Sequence, residues 1–238
     1  MRSLPRIDAR YWLALSAASI FGTNTGDFVA GYLHMGHLAG LPWLTAAFAL
    51  ILVLERVSPV KTPLWFWAAI ITMRTAATNV GDAFHDFGMG FGISVPVTLV
   101  LFVLSVALYA RVTPRRNAGD DTVRVNAAYW IAMMLAGVLG TVGGDAAAKS
   151  LTNPGAAAVF FAIAGAAIAY LGRRGLLLVA GAYWIVVGLI RTAGTAGGDT
   201  VAHAIGLAPS TVLTGAVFLV LVVASSRSPA IIRVAPAR

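Results

Sequence analysis

Residues 184–199 read WIVVGLIRTAGTAGGD, an apolar run of helical character that ends in an aspartate behind a glycine. The pattern occurs four times, with a Gly-Asp pair whose aspartate lies fifteen residues after a tryptophan and four residues after a threonine. The tryptophans are Trp12, Trp67, Trp130 and Trp184, the threonines are Thr23, Thr78, Thr141 and Thr195, and the aspartates are Asp27, Asp82, Asp145 and Asp199. One offset kept in four places indicates that a structural unit is repeated along the chain.

The composition indicates a helical membrane protein. Of the 238 residues, 59% are hydrophobic and 11% are charged, whereas soluble domains carry about 25% charged residues. Apolar runs recur at the length of about 17–25 residues that spans the hydrocarbon core of a bilayer. The net charge of +8 lies in short loops between these runs, which argues against a nucleic-acid partner. The absence of cysteine excludes disulfides and thiolate metal sites.

We expect an all-α, polytopic fold with eight transmembrane helices. They are predicted at residues 11–32, 41–57, 64–87, 94–111, 127–149, 155–172, 176–204 and 210–226. The odd-numbered helices carry the tryptophan and the aspartate, while each even-numbered helix is almost wholly apolar and has a proline near its start. The chain is therefore predicted to consist of four two-helix repeats, all inserted in the same orientation and hence parallel to one another.

The basic residues predict the topology and the division of the chain. Fourteen of the 17 Lys and Arg residues fall in the two tails and in the loops after the even helices, whereas the opposite loops hold only Lys149. Both termini are therefore expected in the cytoplasm. Repeats 1 and 2 occupy residues 1–114, a cytoplasmic linker occupies 115–126, and repeats 3 and 4 occupy 127–238.

Charged residues inside the odd helices predict a central polar axis. Arg74 and Arg191 lie eight residues before their aspartates, and the other two repeats have Ser19 and Gly137 at this position. A charge at mid-membrane costs about 2.5–3.5 kcal/mol on insertion scales, so it normally faces the interior of a helix bundle. Small residues four apart precede each acid and allow close helix packing: they are Gly22/Gly26, Ala77/Gly81, Gly140/Gly144 and Gly194/Gly198. The odd helices are therefore predicted to form an inner ring, wrapped by the even ones.

The four aspartates are the predicted binding groups for a cation or for protons. The four threonines lie one turn away on the same helix face and are expected to supply oxygen ligands. Arg74 and Arg191 are expected to form an electrostatic barrier deeper in the membrane. A structural interpretation stays open, in which each arginine pairs with an acid of a neighbouring repeat. Two arginines leave two of the four acids without a partner, however, and surplus buried acid is typical of a proton or cation pathway.

Histidines lie near two of these acids. His85 and His203 follow Asp82 and Asp199 by about one turn, and Asp86 is adjacent to His85. Imidazole with carboxylate suits divalent first-row metals, so His85, Asp86 and His203 are candidate metal ligands. The alternative is that they are ordinary histidines at helix ends. The tryptophans at the starts of the odd helices are expected to anchor them at the membrane interface.

Four tandem two-helix repeats, each with an aromatic-Trp start and a Thr-x-x-Gly-acid motif, resemble a family of bacterial membrane-anchored proteins named for its tandem repeat of unknown function. Members usually carry Gly-Glu with an Asp four residues later. Here the acid is Asp in every repeat, and only Asp86 matches the second position. The resemblance implies a multi-pass protein of the bacterial inner membrane and implies no particular activity.

Three functions are compatible with these features. The leading hypothesis is a secondary transporter or exporter of a small cation, with divalent metals among the candidates, coupled to protons through the aspartates. The second is a membrane scaffold or sensor whose polar ring is structural. The third is a transporter of an anion or organic solute that binds at Arg74 and Arg191. No phosphate-binding Gly-Lys-Ser/Thr loop and no Gly-x-Ser-x-Gly motif occurs, so neither enzymatic activity nor a cofactor is expected. The expected partners are the lipid bilayer and a small cation or solute, and the oligomeric state stays open.

Overall fold

A computed structural model describes residue 1 and residues 3–113, 124–173 and 180–226. Within these ranges the chain forms eight α-helices and no strand, which confirms the all-α prediction. The helices are α1 (Ala9–Asp27), α2 (Leu41–Val57), α3 (Leu64–Asp86), α4 (Phe91–Val112), α5 (Ala127–Ser150), α6 (Pro154–Arg173), α7 (Ala180–Ile205) and α8 (Leu207–Ser226). A π-helix, Phe28–Tyr32, continues α1 directly after Asp27. The predicted linker at 115–126 lies mostly outside the described residues.

Local sequence explains several helix starts. Asp8 and Asn126 cap α1 and α5, because each side chain accepts a hydrogen bond from the backbone N–H three residues later, over 2.9 Å in both cases. Pro42 lies in the first turn of α2, where its missing N–H removes no helical hydrogen bond. Pro96 lies inside α4, because this helix begins at Phe91 rather than at the predicted residue 94.

The four odd helices form a closed inner ring. Around it α1 packs on α3, α3 on α5, α5 on α7, and α7 on α1. Each outer helix packs mainly on the inner helix of the following repeat, so that α2 lies on α3, α4 on α5, and α6 on α7. The last outer helix, α8, covers α1 and so brings the two ends of the chain together.

The ring is closed by small residues. A methyl group built on Gly81 of α3 would lie 2.7 Å from Cβ of Thr141 on α5, and one built on Gly144 of α5 would lie 2.7 Å from Cβ of Thr195 on α7. Gly198 of α7 meets Thr23 of α1 in the same way, at 3.2 Å. Each inner helix thus presents its last glycine to the threonine of the next helix. The small residues predicted to allow close packing lie at these contacts.

Three of the four tryptophans, Trp67, Trp130 and Trp184, are buried against neighbouring helices, so the prediction that they anchor the helices at the membrane interface is wrong for these three. Trp67 and Trp184 are only 1% and 2% exposed. Trp67 packs on Phe218 of α8, with ring centroids 6.3 Å apart, and Trp184 packs on Phe102 of α4 at the same separation. They lie between the inner and outer layers because α8, which packs mainly on α1, also contacts α3, and α4, which packs mainly on α5, also contacts α7.

Three helices in the described part of the chain are long and apolar enough to cross a membrane. They are α4, α5 and residues 207–224 of α8. A shorter apolar stretch, Pro154–Ile168, lies in α6. Large apolar side chains on the outer surface are exposed, among them Leu104 of α4 and Val220 of α8, at 60% and 68%. An apolar outer surface around a polar interior is the arrangement expected of a protein in lipid.

Candidate functional site

The inner helices place equivalent side chains in five layers along one axis. Residues spaced by four share a helix face, and each inner helix contributes a stripe of five such positions. From one end, the layers are Tyr11/Phe66/Tyr129/Tyr183, Leu15/Ile70/Met133/Val187, Ser19/Arg74/Gly137/Arg191, Thr23/Thr78/Thr141/Thr195 and Asp27/Asp82/Asp145/Asp199. The first and last layers are sixteen residues apart, or about 24 Å along a helix. All ten residues predicted to bind substrate belong to the last three layers.

Arg74 is bound by the other three inner helices. Its Nη2 donates to the hydroxyls of Thr23 and Thr195, both over 2.6 Å, and its Nη1 donates to the hydroxyl of Thr141 over 2.9 Å. The remaining two bonds go to backbone carbonyls: Nη1 donates to Gly137 over 3.2 Å and Nε donates to Ser19 over 3.4 Å. A guanidinium has five N–H donors, and all five are used. Arg74 therefore occupies the axis as a hydrogen-bonded plug.

This arrangement contradicts the structural interpretation in which Arg74 pairs with an acid of a neighbouring repeat. No ion pair within 4.0 Å joins Arg74 to an aspartate among the described residues. Three of the four threonine hydroxyls accept hydrogen bonds from Arg74, and the fourth, Thr78, donates to the Arg74 carbonyl over 3.3 Å. Three of the four threonine hydroxyls that were predicted as oxygen ligands for a cation are thus occupied by Arg74.

Arg191 lies in the same layer but points the opposite way. Its Nη2 contacts Sδ of Met133 at 3.2 Å, one layer farther from the aspartates. The side chain is fully buried, and Nε and Nη1 have no hydrogen-bond partner in the described part of the chain. No acid pairs with it there either, so the predicted Arg–Asp pairing is wrong for this arginine as well.

Three tyrosine hydroxyls form a cluster at the far end of the axis. The Tyr183 hydroxyl lies 2.6 Å from that of Tyr11 and 3.1 Å from that of Tyr129. Phe66 completes this layer without a hydroxyl. Sequence reasoning noted an aromatic residue before each tryptophan but assigned it no role. The signal was available, because this residue begins the same stripe of four-residue spacing that ends in the aspartate.

The four aspartates form an acidic mouth, a name used below for Asp27, Asp82, Asp145 and Asp199. All four are half-buried, and they interact electrostatically with one another across the axis. No Lys or Arg side chain forms an ion pair with any of them in the described ranges. The imidazole of His37 approaches one of them, with its Nε2 3.9 Å from Oδ2 of Asp82. The acidic mouth therefore gathers four carboxyl groups without a matching basic partner.

Imidazole groups lie on one side of this mouth. Side-chain ligand atoms of Asp82, His85 and Asp145 all lie within 4.8 Å of one another. Asp86 instead faces His37, with Oδ2 2.6 Å from Nδ1. His203 is exposed at the end of α7 and does not belong to this group. Of the three predicted metal ligands, the structure brings His85 to the aspartates, places Asp86 behind His37, and leaves His203 apart. His37 was missed because its loop position gives no helical spacing.

Comparison with known proteins identifies one similarity. Residues 182–230 match the family described as Repeat of Unknown Function (DUF347). The match covers most of α7 and all of α8, and so includes the fourth Trp-to-Asp motif. No curated protein and no solved structure matches the chain. The comparison thus supports a repeat of unknown function in this part of the chain.

Proposed function

We propose that the chain is an eight-span membrane protein of the bacterial inner membrane, with both termini in the cytoplasm, that transports a small cation in exchange for protons. The acidic mouth is the binding site. The observation that carries this proposal is the uncompensated charge of the mouth, since both arginines of the axis direct their donors elsewhere. Four carboxyl groups this close favour protons or a bound cation as counter-charge.

The composition of the inner helices supports eight spans. The helices α1, α3 and α7 have 19, 23 and 26 residues, enough for about 28–39 Å at about 1.5 Å per residue. Their polar residues face the axis, and a polar stripe of this kind lowers mean hydropathy without exposing charge to lipid. The distribution of Lys and Arg between the two sets of loops supports the proposed orientation.

The layers suggest how cation and proton alternate. Arg74 with its three threonines closes the axis directly below the acidic mouth, so the cation binds from the mouth side in this conformation. Passage requires Arg74 to release these hydroxyls. A carboxyl group that gives up the cation takes up a proton in its place, which keeps the charge of the buried site nearly constant during the return.

Flux through proteoliposomes tests this proposal. Asp82→Asn and Asp199→Asn each remove one carboxylate while keeping its shape, and we expect both to abolish cation-driven proton movement, measured with a pH-sensitive dye inside the vesicles. Asp8→Asn is the matched control, because Asp8 caps α1 outside the axis and asparagine caps equally well. Undiminished flux in both mouth variants would rule out the aspartates as the transport site.

A structural role is the second candidate, and the saturated hydrogen bonding of Arg74 favours it. A side chain that joins four helices can serve to hold a scaffold or sensor together. This alternative predicts that the aspartate variants lower the melting temperature while no cation changes it in the wild type. Stabilisation of the wild type by a cation argues against it, because a ligand that binds the native state raises its stability.

An anion or organic solute remains the third candidate, and here the structure separates the two arginines. Arg74 has no free donor for a ligand, whereas Arg191 has two unpartnered groups in a fully buried position. This alternative therefore depends on Arg191 alone. It predicts anion-dependent flux that Arg191→Gln abolishes and Asp199→Asn leaves unchanged.

A further inference from the structure

The acidic mouth is symmetric in its aspartates but not in the groups around them. His85 lies three residues after Asp82, and the other repeats have Ala30, Ala148 and Ala202 at that position. Its imidazole lies on the side of the mouth where α3 meets α5, with a nitrogen within 4.8 Å of carboxylate oxygens of both Asp82 and Asp145. Two carboxylates and one imidazole thus converge from two helices on one point.

His37 adds a second imidazole with a fixed orientation. Its Nδ1 lies 2.6 Å from Oδ2 of Asp86, while its Nε2 faces Asp82 at 3.9 Å. Histidines that bind metals almost always donate the other ring N–H to a carboxylate or carbonyl, which fixes the tautomer. The contact of Nδ1 with the carboxylate of Asp86 thus orients the ring so that Nε2 is the nitrogen on the Asp82 side of the mouth.

The ammonium group of Lys149, which follows Asp145 by one turn, contacts an aromatic ring. Its Nζ lies over the ring of Phe91, 5.6 Å from the centroid. The imidazole of His85 packs edge-to-face with the same phenyl ring, with ring centroids 4.5 Å apart. Phe91 thus contacts both the histidine of the cluster and the lysine.

We infer that Asp82, His85 and Asp145 form a binding site for a divalent first-row transition metal, with His37 beside Asp82 as a supporting group outside the three ligands. Imidazole nitrogen with carboxylate oxygen suits Zn²⁺, Mn²⁺ or Co²⁺, whereas Mg²⁺ and Ca²⁺ prefer oxygen alone. That the metal is the transported cation rests on the proposed function, but the binding site itself does not.

Cobalt provides the direct test, because Co²⁺ bound by histidine in a site of low coordination number absorbs visible light far more strongly than hydrated Co²⁺. The full-length protein in detergent is titrated with CoCl₂ alone. We expect saturable absorption in the wild type. We expect at least about tenfold weaker binding in His85→Gln, Asp145→Asn and His37→Gln, the scale on which ligands and their oriented partners act. Asp86→Asn should weaken binding through the orientation of His37.

His203→Gln is the matched control, because this exposed histidine ends α7 near Asp199 as His85 ends α3 near Asp82. It should bind Co²⁺ like the wild type. Equal loss in His203→Gln, or no loss in His85→Gln and Asp145→Asn, overturns the site. Gel filtration and melting temperature confirm that each variant is folded, and His85 and His37 are exposed or half-buried, so their substitution leaves the core intact.

Metal binding and transport can fail separately. Cobalt binding by the wild type without flux of any cation in proteoliposomes supports the site and rejects transport. Proton-coupled flux of Na⁺ or K⁺ without cobalt binding supports transport and rejects the metal site. Flux of Mn²⁺ or Zn²⁺ that is lost in His85→Gln supports both.

Discussion

At the scale of single residues, Arg74 and Arg191 show that equivalent positions can have opposite environments. Both lie eight residues before an aspartate and both are fully buried. Arg74 uses all five donors on oxygen atoms of the other inner helices. The guanidinium of Arg191 has one hydrogen bond, to a sulfur atom, and its Nε and Nη1 have no partner among the residues that the structure describes. A buried charge stabilises a fold only when its hydrogen bonds are satisfied, so the two arginines should differ in their contribution to stability.

Substitution by methionine measures this difference. Arg74→Met leaves three threonine hydroxyls and two carbonyls without their donor, and we expect it to lower the free energy of unfolding by about 3–5 kcal/mol. Arg191→Met removes a buried charge that lacks a partner and should leave stability unchanged or raise it. Melting temperatures in one detergent compare the two variants directly. A larger loss for Arg191→Met than for Arg74→Met would show that the hydrogen bonds of Arg74 are not what stabilises the ring.

Repetition made most of the axis predictable, because four copies of one spacing identified Asp, Thr and Arg without any knowledge of contacts. The partners of the arginines were not predictable in the same way. Counting opposite charges predicted Arg–Asp pairs. In the structure Arg74 instead donates hydrogen bonds to three threonines, which lie one layer closer to it than the acids. The position of His37 beside Asp82 was not predictable either, because a loop residue has no periodic relation to the helix whose acid it approaches.

At the scale of elements, the seam between inner helices depends on glycines whose hydrogen faces the next helix. Gly81 is the clearest case, since its missing methyl would lie 2.7 Å from both Cβ and Cγ2 of Thr141. Thr141 cannot yield freely, because its hydroxyl accepts the hydrogen bond from Arg74. Thr141 therefore couples the packing of α3 on α5 to the hydrogen bonding of Arg74 on the axis.

Gly81→Ala should consequently push α3 away from α5. Overpacking of this kind costs about 1–3 kcal/mol, and we expect a lower melting temperature. Gly92→Ala is the matched control within α4, because nothing lies within 4 Å of its missing methyl. There alanine should leave stability unchanged or raise it by up to about 1 kcal/mol, through its better helix propensity. Equal effects of the two substitutions would mean that close contact at Gly81 does not limit the packing of the ring.

Helix positions followed closely from sequence, since apolar runs end at charges, glycines and prolines whose effects are local. The environment of the tryptophans did not follow. A tryptophan at the start of an apolar helix has the same appearance whether it meets lipid or another helix. The outer helix α8 packs mainly on α1 but also reaches Trp67 of α3, and α4 packs mainly on α5 but also reaches Trp184 of α7. Such contacts between helices are set by tertiary packing, which the spacing of residues within one helix does not predict.

At the scale of the whole molecule, a four-fold plan carries two-fold and single features. All four inner helices supply an aspartate and a threonine, two supply an arginine, and one supplies His85. The features that all four helices share close the ring. The features found on two helices or on one helix distinguish the two directions along the axis and the sides of the acidic mouth. A ring of four equivalent helices that differ at single positions is consistent with a site that binds one ion rather than four.

The proposed topology places the acidic mouth and the basic loops on opposite sides of the membrane. The accessibility of introduced thiols tests this placement. The chain has no cysteine, so Lys61→Cys, between α2 and α3, and Ser150→Cys, at the end of α5, are each the sole reactive residue. Both positions are exposed. Because basic loops remain cytoplasmic, a membrane-impermeant maleimide should label Lys61→Cys only in inverted vesicles and Ser150→Cys only in right-side-out cells. Labelling of both variants from the same side would contradict the eight-span arrangement, and with it the placement of the acidic mouth on the outer face.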